Sequence, residues 1–507
     1  MEIFSLLYLI FLPLLAALLI VCPKFPNNQI IIRRFAKSFS GVHLLYALLF
    51  LLQFNPTSYT PSFLSELTIF KQSWMQTLGI KANFAVDGIS LLFVILVSFV
   101  TLLVLFASRN KIAYSHKLYY SLVFTAQTSI LGALCAQDMF VFFLFIELSL
   151  IPFYFLISHW SIIEDEKMAR KFLGFNILGG FFILAPMLIL YFYNFAITDT
   201  LSASIETLNF DNFSYPDWFK LSVFSAFMVG FLIRMGVFPF HNWLIECIET
   251  AKTPISMFLI SAFSLSGLYG ILKFNMSAFP DTYADFNGAI LILALCGFIY
   301  LSLILTTQKH LKKIFAYWGV LQYIIALIGL SCLNSVAYVG SIMHIMASLL
   351  SVCGLFMLAQ ILQRREKTYI LPLSQNILDK MPKFKPFAYI IFFASILVPF
   401  LFNSTSLYLL ICGGSISDLE LSMTTKFILA FTLLMMFIVV VYMISVFHQM
   451  CFSHSKEINN RIKDITLSEM TFLSFVTGTI LFFGIFPTGL VDIINSCSHF
   501  IINIFRI

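Results

Sequence analysis

The sequence predicts an all-α, polytopic membrane protein with about fourteen transmembrane helices, two inverted repeats, and interruptions in helices seven and twelve. Three observations carry that prediction. The 507 residues are 60% hydrophobic and only 11% charged, with a mean hydropathy of +0.95, whereas a soluble domain carries about 25% charged residues. Apolar runs near the length a bilayer demands, about 20 residues as a helix, recur between short polar loops. Two of those runs, five apart in order, each contain a proline beside polar side chains, the trace expected of paired broken helices in repeat-built transporters.

Taken in order, the first span covers 3–22. It lacks a basic leader and a small-residue cleavage site, so it reads as a retained helix. Spans follow at 40–54, 84–107, 117–136, 138–158, 172–194 and 221–244. The remainder lie at 254–274, 286–306, 312–332, 336–361, 386–412, 424–449 and 468–490. The longer polar connections, about 195–220 and 362–386, are too short for a separate folded domain. The whole chain, 1–507, therefore reads as one membrane domain, with inverted repeats at about 117–274 and 286–449.

Charge supports an even count, because basic residues gather on the side from which a membrane protein inserts. Loops after odd-numbered spans hold Lys24, Arg33, Arg34 and Lys37, then Arg109, Lys111 and Lys117, then Lys167, Arg170 and Lys171. The same side collects Lys252, Lys309, Lys312, Lys313, Arg364, Arg365, Lys367, Lys380, Lys383, Lys385, Lys456, Arg461 and Lys463, about 23 of the 30 basic residues in all. The other face is acidic, with Asp199, Glu206, Asp211, Asp217, Asp281, Asp285, Asp418 and Glu420.

Within this pattern, the fifth span, DMFVFFLFIELSLIPFYFLISHW, carries Glu147 near its middle. A charge there costs roughly 2.5 to 3.5 kcal/mol on insertion scales, so it needs a partner, a wet cavity or a task, and such groups mark ion pathways. The seventh span sets Arg234 beside Gly236 and Pro239. Proline removes a donor and clashes with the preceding turn, so the helix breaks close to that charge. The twelfth repeats the arrangement with Pro399 before Asn403, Ser404, Thr405 and Ser406. Lys273 ends the eighth span, Tyr317 and Gln322 lie in the tenth, and His344, Ser348 and Ser351, spaced four and three apart, share one face of the eleventh. These groups either support a file of waters or satisfy one another in a packed bundle.

Other chemistries lack support. The nine cysteines are scattered, without a C-x-x-C pair or a grouping with histidine, and read as small core residues. No glycine-rich phosphate loop follows a strand, and nothing points to nucleic acid as a partner. The 60 phenylalanines against 22 glycines fit the codon bias of an AT-rich genome such as an organellar one.

The motifs VDGIS at Val86 to Ser90 and IELSLIPFYFLI at Ile146 to Ile157 give the chain a resemblance. With ARKFL at Ala169 to Leu173, FPFHNWL at Phe238 to Leu244, LKKIFAY at Leu311 to Tyr317 and SLLSVCGLFML at Ser348 to Leu358, it resembles chain 4 of NADH-ubiquinone oxidoreductase. That family is the antiporter-like membrane subunit of respiratory complex I. The likeness runs from Asn83 to FFGIFPTGL near the end; the sibling chain 2 family usually has its serine one place later after the carboxylate and lacks VDGIS.

The resemblance implies a multi-pass subunit of the mitochondrial inner membrane, or of a bacterial plasma membrane, surrounded by lipids and other complex I membrane subunits. It implies no cofactor or metal on this chain: NADH, flavin, iron-sulfur clusters and ubiquinone belong to other subunits, whose electron transfer drives proton translocation here. Glu147 falls on the family's fifth-helix carboxylate and Arg234 on the position usually held by the seventh-helix lysine, while His241 and Trp243 match the residues after the break. The family's eighth-helix lysine falls near Leu265, its two histidines at Gln322 and Ser348, and its twelfth-helix glutamate near Ser406. His344, one turn before Ser348, and Lys273, two turns beyond Leu265, stand as substitutes.

Arginine keeps its charge in proteins, so Arg234 can hold Glu147 ionised and tune its proton affinity without carrying a proton itself. At about 4 Å and an effective dielectric near 20, such a pair interacts by roughly 4 kcal/mol. The expected working set is thus Glu147 as switching acid, Arg234 as partner, and His344, Gln322, Ser348, His241 and Lys273 as relay. A structural spacer with an incomplete path, or a subunit of a free-standing cation/proton antiporter, are the alternatives.

Overall fold

The computed structural model describes residues 3–53, 70–108, 115–161, 166–205, 215–373, 377–416, 423–452 and 463–505. Of the charged loop residues named above, Arg109, Lys111, Glu206, Asp211, Asp418, Glu420, Lys456 and Arg461 lie outside them. The chain packs as two compact units. One comprises Met1–Gly236, Ala262–Phe286 and Ile493–Ile507, the other Val237–Ser261 and Asn287–Asp492.

The first unit opens with helices α1 (Ile3–Val21) and α2 (Gln29–Gln53), then the hairpin β1 (Phe70–Met75) and β2 (Ile80–Phe84). It continues with α3 (Gly88–Ala107), α4 (His116–Cys135), α5 (Met139–His159), α6 (Glu166–Thr198) and α7 (Asp217–Met235). The second begins with α8 (Asn242–Thr250) and holds the start of α9 (Thr253–Met276), whose later half returns to the first unit. The second unit is completed by α10 (Pro280–Thr307), α11 (Leu311–Leu330), α12 (Ser335–Glu366), a single turn Ile377–Lys380, α13 (Phe384–Ser395), α14 (Phe402–Ile416), α15 (Met423–Cys451) and α16 (Leu467–Ile485). Helix α17 (Thr488–Phe505) ends the chain.

Twelve helices among the described residues are long and apolar enough to cross a membrane. The other two expected spans are α1 and the broken pair α13–α14, so a helix stands at every position read from the hydropathy. Boundaries differ where charge hid the period. Arg33, Arg34 and Lys37 sit in the first turns of α2, which starts at Gln29 rather than at residue 40, and α6 runs for 33 residues to Thr198.

Both predicted interruptions are present. Helix α7 stops at Met235, where Gly236 takes a left-handed φ of 67° and its N–H caps Leu232 O and Ile233 O. In the later break, Leu397 and Phe400 themselves adopt left-handed φ values of 67° and 69°. For side-chain-bearing residues that conformation is strained.

A third irregularity has no counterpart in the sequence reading. Helix α9 contains two π-helical stretches, Leu259–Phe263 and Ile271–Met276, and widened turns of this kind leave carbonyls in need of partners. Tyr323 of α11 donates to Ile260 O at 2.7 Å and supplies one.

Two elements were not expected at all, the β1–β2 hairpin and α17. The hairpin pairs Phe70 with Phe84 and turns through Gly79, and residues 83–85 pair in turn with 135–137 ahead of α5. Two expectations about side chains also fail. Lys312, read as part of a basic loop, is fully buried and donates to Glu249 O and Ala251 O at the C-terminal end of α8, where a cation meets the negative end of the helix dipole. Cys296 is exposed, and Cys22 and Cys412 are half-buried, so the cysteines are not uniformly core.

Candidate functional site

Helix α5 is fixed at its start by Asp138, whose carboxylate accepts from the N–H of Phe140, Val141 and Lys81 at 3.0, 3.3 and 3.0 Å. Burial pushes this carboxyl up to about 6 despite those donors. Two turns further along, Leu144, Leu148, Ile151 and Phe155 form an outward apolar stripe, and Glu147 stands beside that stripe, half-buried.

What holds Glu147 there is α6. A Cβ placed on Gly180 would lie 2.6 Å from Oε1 of Glu147, so the carboxylate occupies the space that any other residue at 180 would fill. The adjacent Gly179 lets α6 approach α7 equally closely, facing Gly230, the small-residue packing that brings membrane helices together.

Arg234, in the last turn of α7, is 2% exposed. Its Nη2 donates to Ile146 O at 2.8 Å and to Ser149 Oγ, while Nε donates to Ser266 Oγ at 3.4 Å. The guanidinium carbon lies 3.9 Å from the Phe263 ring centroid, an attraction worth about 2 kcal/mol when desolvated. All of these partners are neutral.

Glu147 and Arg234 interact through space without forming a hydrogen-bonded ion pair. Glu147 Oε1 and Arg234 Nη1 are both buried without a hydrogen-bond partner. The anchor on Ile146 O, one peptide from Glu147, keeps the positive charge within electrostatic reach of an acid whose Oε1 is unpartnered among the described residues. Chemically, the carboxyl can gain or lose a proton while the guanidinium keeps its charge.

A second polar cluster lies in the other unit. His344 Nε2 is 3.0 Å from Gln322 Oε1, to which Ser348 Oγ also donates at 3.3 Å. Because Gln322 Nε2 donates to Trp318 O, its Oε1 is an acceptor and the His344 proton is assigned to Nε2. Nδ1 then faces Ser406 Oγ at 3.4 Å, and Asn403 joins through Ser351 Oγ at 3.0 Å. A ring so placed can take a proton on one nitrogen and release it from the other. His344, Gln322, Ser348, Ser351 and Ser406 are at most 1% exposed.

His241 is not part of that network. Its ring packs among Phe238, Tyr300 and Tyr317. Lys273 lies in the first unit, in the second π-helical stretch, and bonds to Ala136 O and Tyr269. Asp87 and Ser149 lie in the VDGIS and IELSLIPFYFLI motifs but carry no site role in the sequence alone, and Gly180 and Ser266 are not marked there; a glycine pair inside an apolar span is the available signal for Gly180.

The family described as NADH:quinone oxidoreductase/Mrp antiporter, TM, matches residues 136–432, more than half of the chain. The chain belongs to this family. The matched stretch runs from just before α5 into α15 and so contains both clusters. Among relatives in the family, NAD(P)H-quinone oxidoreductase chain 4 2 of Thermosynechococcus vestitus is 29% identical over 310 residues, 61% of this chain and 57% of that protein. The alignment thus spans a little over half the length of that relative. A longer match, 25% identical over 494 residues, covers 95% of the chain and 90% of NAD(P)H-quinone oxidoreductase chain 4 2 of a Synechococcus species.

Solved structures share the fold. A chain of respiratory complex I from Thermus thermophilus with bound NADH superimposes with a TM-score of 0.83 at 20% identity, covering 98% of this chain and 99% of that one. A chain of the Mrp complex from Dietzia sp. gives 0.82 at 17% identity, covering 98% and 52%.

Proposed function

We propose that the chain is an antiporter-like core membrane subunit of NADH:ubiquinone oxidoreductase, contributing to proton translocation driven by electron transfer on other subunits. One observation carries this reading: a buried arginine anchored on the neutral Ile146 carbonyl and Ser149 hydroxyl, either side of an intramembrane glutamate whose Oε1 has no hydrogen-bond partner among the described residues. Glu147 is the switching acid and Arg234 the fixed charge whose distance sets whether the acid holds its proton. The relatives' names support the assembly, in which NADH, flavin, iron-sulfur clusters and ubiquinone reside on neighbouring subunits and lipids surround this one.

The phenylalanine-rich composition supports a mitochondrial inner membrane with the basic face toward the matrix. The relatives named above are cyanobacterial, so a bacterial membrane is the alternative, which fractionation of the source cells distinguishes.

A second reading, a spacer with an incomplete path, draws support from Gln322, Ser348 and Ser406, which leave His344 as the titratable member of its cluster. The deciding experiment is Glu147→Gln in the intact complex. Assembly persists and protons moved per NADH fall; an unchanged ratio rejects the pumping reading.

A further inference from the structure

Helix α9 carries a polar face that runs away from Arg234 toward the hairpin end of the first unit. Ser266 accepts from Arg234 Nε at 3.4 Å. Tyr269 and Lys273 follow at intervals of three and four residues, which places all three on one side of the helix. Lys273 Nζ donates to the Tyr269 hydroxyl at 3.3 Å and to Ala136 O, and the hydroxyl donates to Leu134 O at 2.8 Å. The Tyr269 ring packs edge-on against Phe93 of α3, 6.2 Å between centroids.

At the same place α3 begins. Its N-cap, Asp87, is 2% exposed and accepts from Ser90 N at 2.6 Å. Two residues earlier, Ala85 N donates to Cys135 O and Asn83 O accepts from Gln137 N, both at 2.9 Å. The strand that leads into Asp87 is therefore paired with the segment whose Ala136 carbonyl holds Lys273. Lys273 is 1% exposed and lies within electrostatic reach of Asp87. Asn83 Oδ1, in the same 3%-exposed pocket of backbone, has no partner. A buried ammonium and a buried carboxylate are costly to maintain and are kept where they pair or conduct.

We propose that the Ser266–Tyr269–Lys273 face of α9 is the proton outlet of the first unit, with Lys273 as the titrating carrier and Asp87 as the releasing acid near the hairpin. The inference rests on Glu147 being the switching acid. Unlike Arg234, a buried lysine can lose its proton. In the transfer, carried by an intervening water, one N–H bond of the ammonium breaks with its electron pair left on Nζ as the water takes that proton and gives one of its own to Asp87, leaving both groups neutral and the water unchanged. Asp87 then loses its proton to water at the non-basic face. Lys273 regains one from the Tyr269 hydroxyl, which turns from Leu134 O and is itself refilled through Ser266 and water from Glu147.

The test uses the intact complex in sealed vesicles, with proton movement and NADH oxidation followed together. Asp87→Asn preserves an N-cap acceptor, Lys273→Gln removes the carrier, and Lys273→Arg keeps the charge but not the titration. All three fall to the protons-per-NADH ratio of Glu147→Gln, and the Asp87→Asn/Lys273→Gln pair falls no further than either alone, as members of one path do. Wild-type ratios in Asp87→Asn and Lys273→Gln, with Glu147→Gln still impaired, overturn the outlet and leave the switching acid standing. A normal ratio in Glu147→Gln as well overturns both. Full pumping by Lys273→Arg also overturns the carrier role. Should the lysine variants fail to assemble, Tyr269→Phe decides: a lowered ratio supports the outlet and an unchanged one refutes it.

Discussion

Replacing Gly180 by alanine is the most direct probe of how Glu147 is held. The new Cβ would lie 2.6 Å from Oε1, whereas ordinary contact begins at 3.4 Å, so the carboxylate must move about 0.8 Å to regain it. The obstructing atom is the tip of a flexible side chain, and alanine is favoured over glycine in a helix by about 1 kcal/mol. Folding should therefore survive, with thermal stability unchanged or slightly raised. For an illustrative separation of roughly 5 Å at an effective dielectric of 20, the interaction is about 3.3 kcal/mol, and a displacement of that size along the line between the charges alters it by up to about 0.5 kcal/mol. At 1.36 kcal/mol per pH unit, this predicts a displacement of about 0.3 to 0.4 unit in the pH profile of proton translocation. The assay is proton movement by the reconstituted complex across pH, alongside a melting curve. A wild-type profile in a normally assembled Gly180→Ala complex would refute the claim that the α6 surface positions the acid.

Three further outcomes follow from other sites. Glu469 is bound by Arg364 and Arg365 at 2.8 and 2.9 Å with its side chain 3% exposed, so Glu469→Gln costs about 3 to 5 kcal/mol of stability by thermal melt and leaves the proton ratio of assembled complex intact. Asp138 titrates near 6 in the fold against 3.8 ordinarily, so the folded state binds the proton more tightly. Stability therefore declines as pH rises from 4 through 6, by about 3 kcal/mol, and melts of Asp138→Asn lack that slope. His344→Leu removes one donor from Gln322 Oε1, which Ser348 still bonds, at about 0.5 to 1.5 kcal/mol; it lowers protons per NADH if the second unit conducts and leaves the ratio unchanged if that unit is a spacer.

Glu147 and Arg234 were legible because a lone charge in an apolar run of bilayer length has few explanations. The spacing of His344, Ser348 and Ser351 likewise puts them on one helix face, and Pro239 and Pro399 mark the breaks. The bonding of Arg234 was not legible. Sequence pairs opposite charges by sign, but a guanidinium at a helix end can be satisfied by a carbonyl and hydroxyls, as Ile146 and Ser149 show. Gly180 looked like filler because a glycine's role is the volume it leaves for another residue. Asp87 and Lys273 are far apart in the chain, and each was read within its own span. Widened turns in α9 leave no mark in hydropathy, since a π-helical stretch has the same composition as its neighbours.

The arginine at the end of α7 also limits how many charges can change at this junction. A lysine opposite the acid would allow two linked ionisations and a steep response to acidity. With a guanidinium that stays cationic at every physiological pH, only the carboxyl changes state, and the transition there has the gradual slope of a single exchangeable hydrogen ion.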